Sequence, residues 1–379
     1  MKKYLQLAAA LLALSLAAVA QDSGSRVFRG NRSGEWIEET TGNLSATRTV
    51  KIKTSAGAIR ITGGQQSNIT YAVRKHVRAD SEESARREFA RLRFTTGIVG
   101  DTAVLRGECE GYRGGAVEFD VHVPNQTALI HAETSGGVIA ANSVSGRVEA
   151  ATGGGSIQMD HIGQGVYASS GGGSIDLGTI GGDVRVETGG GSIKVSSAGG
   201  QVIASSGGGT LSIGGGKDMN LETGGGSIYV DKCTGAMKAS TGGGSIDVNQ
   251  VDGHALVESG GGSIKVGPVK GGVRAETGSG PIVADLATGG TPFTDSRLET
   301  SAGNIIVYLP DNLGVTIRAA VEVANGQGII SDFPGLKITY ANDHYGPREA
   351  YAEGALNGGG PILHVHTTTG SIEFRHKNK

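Results

Sequence analysis

Proline is scarce, at 8 of 379 residues, and the 67 glycines come in clusters rather than at every third position, so a collagen-like triple helix is excluded. Aromatic residues make up only 4% of the chain, which leaves few rings for stacking on sugars. Neither sign of charge dominates. The formal net charge is -2, and more negative without Lys2 and Lys3, so there is no basic field to draw nucleic acid or anionic lipid. Beyond the first twenty residues no apolar run is long enough to span a bilayer. Cysteine is nearly absent. Cys109 and Cys233 invite a disulfide in an exported protein, a reading that the repeat described below argues against.

The first twenty residues have the three parts of a secretory signal. Lys2 and Lys3 precede an apolar run from Leu5 to Ala17, and Ala18-Val19-Ala20 supplies the small residues of a cleavage site. Export to the periplasm, the cell surface or the medium is expected, with cleavage after Ala20. No cysteine follows the cut, which argues against lipid anchoring.

The glycine clusters repeat. GGGSI stands at Gly153, Gly171, Gly189, Gly224, Gly242 and Gly260, with GGGTL at Gly207. Aligned on the Thr or Ser before the glycines, the marks are Thr134, Thr152, Ser170, Thr188, Ser206, Thr223, Thr241, Ser259 and Thr277, spaced by 18 with a single 17 before Thr223. A period this regular signals stacked units. Before each mark, small or apolar residues two and four positions back alternate with polar ones, as in Val184 and Val186 between Arg185 and Glu187. After the glycines a second alternation follows, as in Ile193 and Val195, and a third apolar column closes the lap at Val144, Ile162, Ile180, Ala198, Cys233, Val251 and Val269. Period-2 alternation marks strands with one buried face, and the glycines between them mark corners. The pattern predicts an all-β fold, a parallel β-solenoid of the single-stranded β-helix type with about 18 residues per coil. The usual chirality of parallel crossovers favours a right-handed coil, although the pattern itself does not fix the hand. Eight intervals of about 4.8 Å give a rod about 40 Å long. Cys233 falls in the buried third column, the place of a small hydrophobe rather than of a bridge to Cys109. The short lap, where Gly214-Gly215-Gly216 leaves the third column without a side chain, is expected to be the weakest and bent.

Outside the regular block the same signature surrounds Thr54, Thr300 and Thr367. A helix is expected over residues 81–94, opened by a capping box at Asp80-Ser81-Glu82-Glu83 and facing inward through Ala85, Phe89 and Leu92, as a cap on the first coils. Residues 99–123 read as strands returning to the stack. Pro292 and Phe293 read as a protruding loop, Pro310, Pro334 and Pro347 interrupt an irregular stretch, and the basic tail FRHKNK reads as a guard on the sheet edge. The expected organisation is a signal at 1–20, an N-terminal coil and cap region at 21–133, regular repeats at 134–290, and an irregular C-terminal solenoid and cap at 291–379.

The run FDVHVPNQTALIHAETSGGVIAANSVSGRVEAATGGGSI, together with IIVYLPDNLGVTIRAA, ISDFP and GGGPILHVHTTTGSIEF, resembles the bacterial family labelled "putative adhesin", a domain of unknown function with a β-solenoid fold. The resemblance covers roughly residues 45–376. It implies surface attachment and supplies no binding residue, and the dense GGGS corners depart from the family's commoner lap.

The pattern bears on several specific chemistries. A calcium-binding roll needs an aspartate in each half lap, where this chain has Ser156, Ser174, Ser192 and their equivalents. A phosphate loop needs a Lys-Ser/Thr ending and a helix, which no GGGSI has. An ice-binding face needs an outward threonine row, and parity turns the marks inward. Glu258 and Glu276 would stack on neighbouring coils as a glycosidase pair does, with Lys238, Lys265 and Arg274 to neutralise them as a charged face. Tyr167 and Tyr229 lie on different coils. His364 and His366 both point outward but lack a third ligand for a metal. No catalytic, cofactor-binding or metal residue is assigned, and no cofactor is expected. The leading expectation is an exported, non-catalytic scaffold or binding surface of the cell envelope, meeting a surface glycan or an envelope protein. The alternatives are a carbohydrate-active enzyme and an envelope sensor or assembly protein. Exposed Ile203 and Leu256 would favour protein binding.

Overall fold

The computed structural model describes residues 21–109, 114–324, 328–341 and 348–377; the expected signal at residues 1–20 lies outside them. Each lap of the repeat makes two strands joined by a sharp bend. On one side Arg147–Thr152, Val166–Ser170 and Val184–Thr188 pair in parallel, with Val148 opposite Val166 and Thr152 opposite Ser170. On the other, Ile157–Asp160, Ile175–Ile180 and Ile193–Ala198 do the same, with isoleucine over isoleucine. The pattern continues to Val273–Thr277 and Ile264–Val269. The chain is an all-β solenoid with two long sheets, here called the threonine side and the isoleucine side, each of 17 strands among the described residues. Side chains alternate across each strand, so every coil sends the same columns inward, and one apolar cluster runs from Trp36 to Phe374. The third column is part of it, with Ile162, Ile180, Cys233 and Val251 at 1% exposure or less.

The marks point inward, and their hydroxyls explain why only Thr and Ser occur there. Thr188 Oγ1 donates to the Gly173 carbonyl of the coil below at 2.8 Å and accepts from Gly191 N at 3.3 Å. Ser170 and Ser206 repeat the same pair of bonds, at 2.9 and 2.8 Å for Ser170 and 2.9 and 2.9 Å for Ser206. Each hydroxyl thus satisfies a part-buried carbonyl and amide that the bend would otherwise leave unpaired. The corner glycines are needed for closeness. A Cβ on Gly189 would lie 2.1 Å from the Gly171 carbonyl oxygen, and one on Gly191 would lie 2.3 Å from that of Gly173.

Cys233 is fully buried and free, and its thiol donates to the Lys217 carbonyl at 2.9 Å. Burial pushes both thiols, Cys109 and Cys233, above their ordinary range. The short lap keeps its ladder on both sides, Leu211 pairing with Ile193 and Ile228, and Gly216 with Cys233. Its empty third-column position is closed by neighbours. A Cβ on Gly216 would meet Val202 Cγ2 at 2.8 Å and Met219 Cε at 3.2 Å.

At both ends the order of coils in space departs from the order in sequence. Near the N-terminus the coil Thr49–Thr54 and Ile59–Gly64 lies between the repeats and the later coil Thr102–Cys109 and Ala116–Pro124. Residues 99–123 do return to the stack. Antiparallel strands close this end: Leu92–Val99 on the threonine side, and Asn68–Arg78, Glu35–Ser45 and Gln21–Arg29 on the isoleucine side. The helix spans Glu82–Phe89, shorter than expected, with Ser81 rather than Asp80 as its cap, accepting from Ser84 N at 3.3 Å. It stops because Leu92–Val99 has a strand partner in Thr102–Cys109, and Leu92 is buried from that strand.

The C-terminal end mirrors this. The strands Ile362–Thr369 and Ile372–His376 insert between the coil Ser296–Ala302 and Ile305–Leu309 and the coil Val315–Val323 and Ile329–Ser331. The tail as far as Lys377 is therefore no guard on an edge, and Asn378 and Lys379 lie outside the described residues. Arg375 pairs with Asp332 at 2.9 Å, His376 with Asp311 at 2.6 Å and Lys377 with Asp285 at 2.7 Å, which hold it inside the stack. Beyond it Glu349–Leu356 and Lys337–Ala341 extend the threonine side antiparallel. The loop with Pro292 and Phe293 folds back rather than protruding. Phe293 packs on the core and Thr291 Oγ1 donates to the Asp252 carbonyl at 2.8 Å.

Candidate binding groove

Outward side chains on the threonine side fall into two columns. Through the last coils the first column runs Lys238, Leu256, Arg274, Arg297, His364, Arg318, and the second runs Ser240, Glu258, Glu276, Glu299, His366, Ala320. Parallel register places each residue over its equivalent, about 4.8 Å away. The expected stacking of Glu258 on Glu276 is present, and Glu299 and His366 extend it by two more strands. Two clefts follow this ladder and share Glu299 and His366. One, of about 570 Å³, has Glu258 and Glu276 in its wall; the other, of about 620 Å³, has Arg318, Tyr351 and His364.

Within the ladder Glu276 and Glu299 are matched along their own strands, whereas Glu258 has Leu256 in that place. Arg274 Nε lies 2.7 Å from Glu276 Oε1, and Arg297 Nη2 lies 2.6 Å from Glu299 Oε1. The carboxylate in each pair pushes the guanidinium pKa further up, so both arginines stay charged. The pairs are exposed and add little to stability; what they provide is a row of planar donors and acceptors facing solvent. His366 Nε2 lies 3.1 Å from Glu322 Oε1 on the neighbouring strand, and Arg318 Nε lies 3.4 Å from Glu353 Oε1.

Several expectations change place. Lys265 is on the isoleucine side, 3.8 Å from Asp247, and cannot neutralise Glu258 or Glu276; Lys238 and Arg274 are on the right column. Ile203 and Leu256 are half-buried, so they form no broad exposed apolar face. Tyr167 is half-buried, and Tyr229 is exposed on the isoleucine side. His364 and His366 do point outward, but from a strand flanked on both sides. Among the described residues no group of three His, Cys, Asp or Glu side chains is placed to hold a metal ion. Arg297, Glu299, Arg318, Ala320 and Tyr351 were not singled out from the sequence. The mark at Thr300 carries the signal for Arg297 and Glu299, three and one residues before it. The other three lie in the irregular stretch, whose strand order the repeat does not reveal.

No family model and no curated protein matches this chain. Among solved structures, it is similar to a putative cell adhesion protein from Clostridium sporogenes, at 11% identity over 90% of this chain and 100% of that one, with a TM-score of 0.18. It is also similar to a putative adhesin from Bacteroides fragilis, at 12% identity over 71% of this chain and 96% of that one, with a TM-score of 0.26. Both agree with the sequence resemblance in description alone. Among the described residues no helix is long and apolar enough to cross a membrane.

Proposed function

We propose that the chain is an exported, non-catalytic solenoid of the cell envelope, a rigid scaffold whose threonine side offers a binding groove. The observation that carries this reading is the register of the groove: residues from five strands, Glu258, Glu276, Glu299, His366 and Ala320, stand in one column set by backbone pairing. A site built on stacked strands is pre-ordered, so binding loses little conformational freedom. Glu276 and Glu299 are each committed to an arginine on their own strand, as suits a recognition surface more than a spare carboxyl pair. The test is a glycan and cell-surface binding screen on the chain from Gln21, with release of sugar products assayed in parallel. Binding without turnover is expected. Turnover would favour the carbohydrate-active alternative and overturn the proposal.

A further inference from the structure

The pairing of arginine and glutamate on one and the same strand ends at one identifiable point in the groove. Up to Glu299, each arginine of the first column has a carboxylate beside it in the second. One strand further on, the second column turns to His366, then Ala320, Tyr351 and Thr339, while the first continues with His364, Arg318, Glu353 and Lys337. Among the described residues Arg318 has the longer contact to Glu353, His366 is taken up by Glu322, and the Tyr351 hydroxyl donates to Glu349, which leaves the face of its ring free. His364 stands in register between Arg297 and Arg318, and Lys337 closes the far wall of the same cleft. Ala320 makes a low floor between His366 and Tyr351, and Tyr351 is 43% exposed at the edge of this depression. A small residue between larger walls, with an exposed ring on one side and on the other Arg318 and Lys337 flanking the single acid Glu353, is a site for a flat, polar ring that carries an anionic group.

We propose that this cleft binds a carboxylated sugar residue of an extended acidic glycan, an assignment that rests on the binding reading above and names its ligand class. The sugar ring lies over Ala320 against the Tyr351 ring, and its carboxylate meets Arg318 and His364. The chain continues along the ladder past Glu299, where the Arg297 and Arg274 pairs meet its hydroxyl groups. A guanidinium suits a carboxylate because two N–H donors match its two oxygens.

The experiment is calorimetric titration of the chain from Gln21 with oligogalacturonate, hyaluronate and alginate oligosaccharides, each beside its methyl ester, with poly-glutamate as the carboxylate lacking a sugar ring. The acidic oligosaccharides are expected to bind and their esters to bind at least about tenfold more weakly, the size of one lost charge-assisted hydrogen bond. Arg318→Gln and Tyr351→Ala should each weaken binding about tenfold or more with an unchanged melting temperature, and Arg185→Gln, on the same sheet but far along it, should leave binding as it is. Equal affinity for acid and ester, equal affinity for poly-glutamate, or an unaffected Arg318→Gln would overturn the assignment. If no acidic glycan binds while the surface screen finds another ligand, this inference fails and the scaffold reading stands. If the screen finds none, both fail.

Discussion

The three glycines of one corner should behave differently when each is given a methyl group. Gly190 and Gly191 are adjacent, and neither has a positive φ. A Cβ on Gly190 meets nothing within 4 Å, whereas one on Gly191 lies 2.3 Å from Gly173 O, 2.5 Å from Gly173 C and 2.7 Å from Ser174 N. Ordinary contact begins at 3.4 Å, so the peptide of the coil below must move by about 1 Å. One bond holds that peptide directly, Thr188 Oγ1 to Gly173 O at 2.8 Å, and a second holds the next peptide, Ile175 N to Ser192 O at 3.0 Å. Losing them and straining the corner costs about 3 kcal/mol. Gly190→Ala has no such cost and restricts the unfolded chain, which gives about 0.4–1 kcal/mol in its favour. Thermal unfolding followed by circular dichroism is the assay. Gly191→Ala should lower the midpoint by several degrees, and Gly190→Ala should leave it level or slightly higher. Equal losses at both positions would mean that glycine is used here for backbone angles rather than for closeness, and would refute the stacking argument.

Three further outcomes follow from the same geometry. Thr188→Val takes the hydroxyl partner from the part-buried Gly173 carbonyl and Gly191 amide and should cost about 1–2 kcal/mol, whereas Thr188→Ser should be nearly neutral by the same thermal assay. Glu39 is buried, and hydrogen bonds from Arg74 and Arg26 hold its carboxyl below the ordinary value of 4.5, so the unfolded chain takes up that proton first. Its contribution is complete above about pH 4.5 and is lost as the pH falls further, so the gap in midpoint between the wild-type chain and Glu39→Gln should shrink over that range. Cys233, fully buried, should resist a thiol reagent in the folded chain and react only on unfolding, while half-buried Cys109 reacts sooner; peptide mapping after timed alkylation reads both.

The interior of the repeat was legible because one lap of 18 residues carries its own register. The inward parity of Val184, Val186 and Thr188, the burial of Cys233 and the stacking of Glu258 on Glu276 all follow from counting along the chain. The ends were less legible. Nothing local in LHVHTTTGSIEF distinguishes a final coil from an inserted one, since its alternation is the same in either place. What differs is the partner on each side, Arg297 and Arg318 for His364, and that depends on strands distant in sequence. The groove was half visible for the same reason: its acids belong to laps, and Tyr351 belongs to an antiparallel addition with no period to announce it.

Taken residue by residue, TGGGSI divides its duties unevenly. The threonine relays a hydrogen bond between coils, the first and third glycines let carbonyls approach, and the isoleucine joins the core. The middle glycine, at Gly154, Gly172, Gly190, Gly208, Gly225, Gly243 and Gly261, has open space around its missing side chain, and nothing in the structure explains it. A motif kept wholly for stacking would need only two of its three glycines. The corner is thus over-determined at the positions that touch the next coil and free at the one that faces outward, and it is there that substitutions can be made without disturbing the ladder that positions the groove.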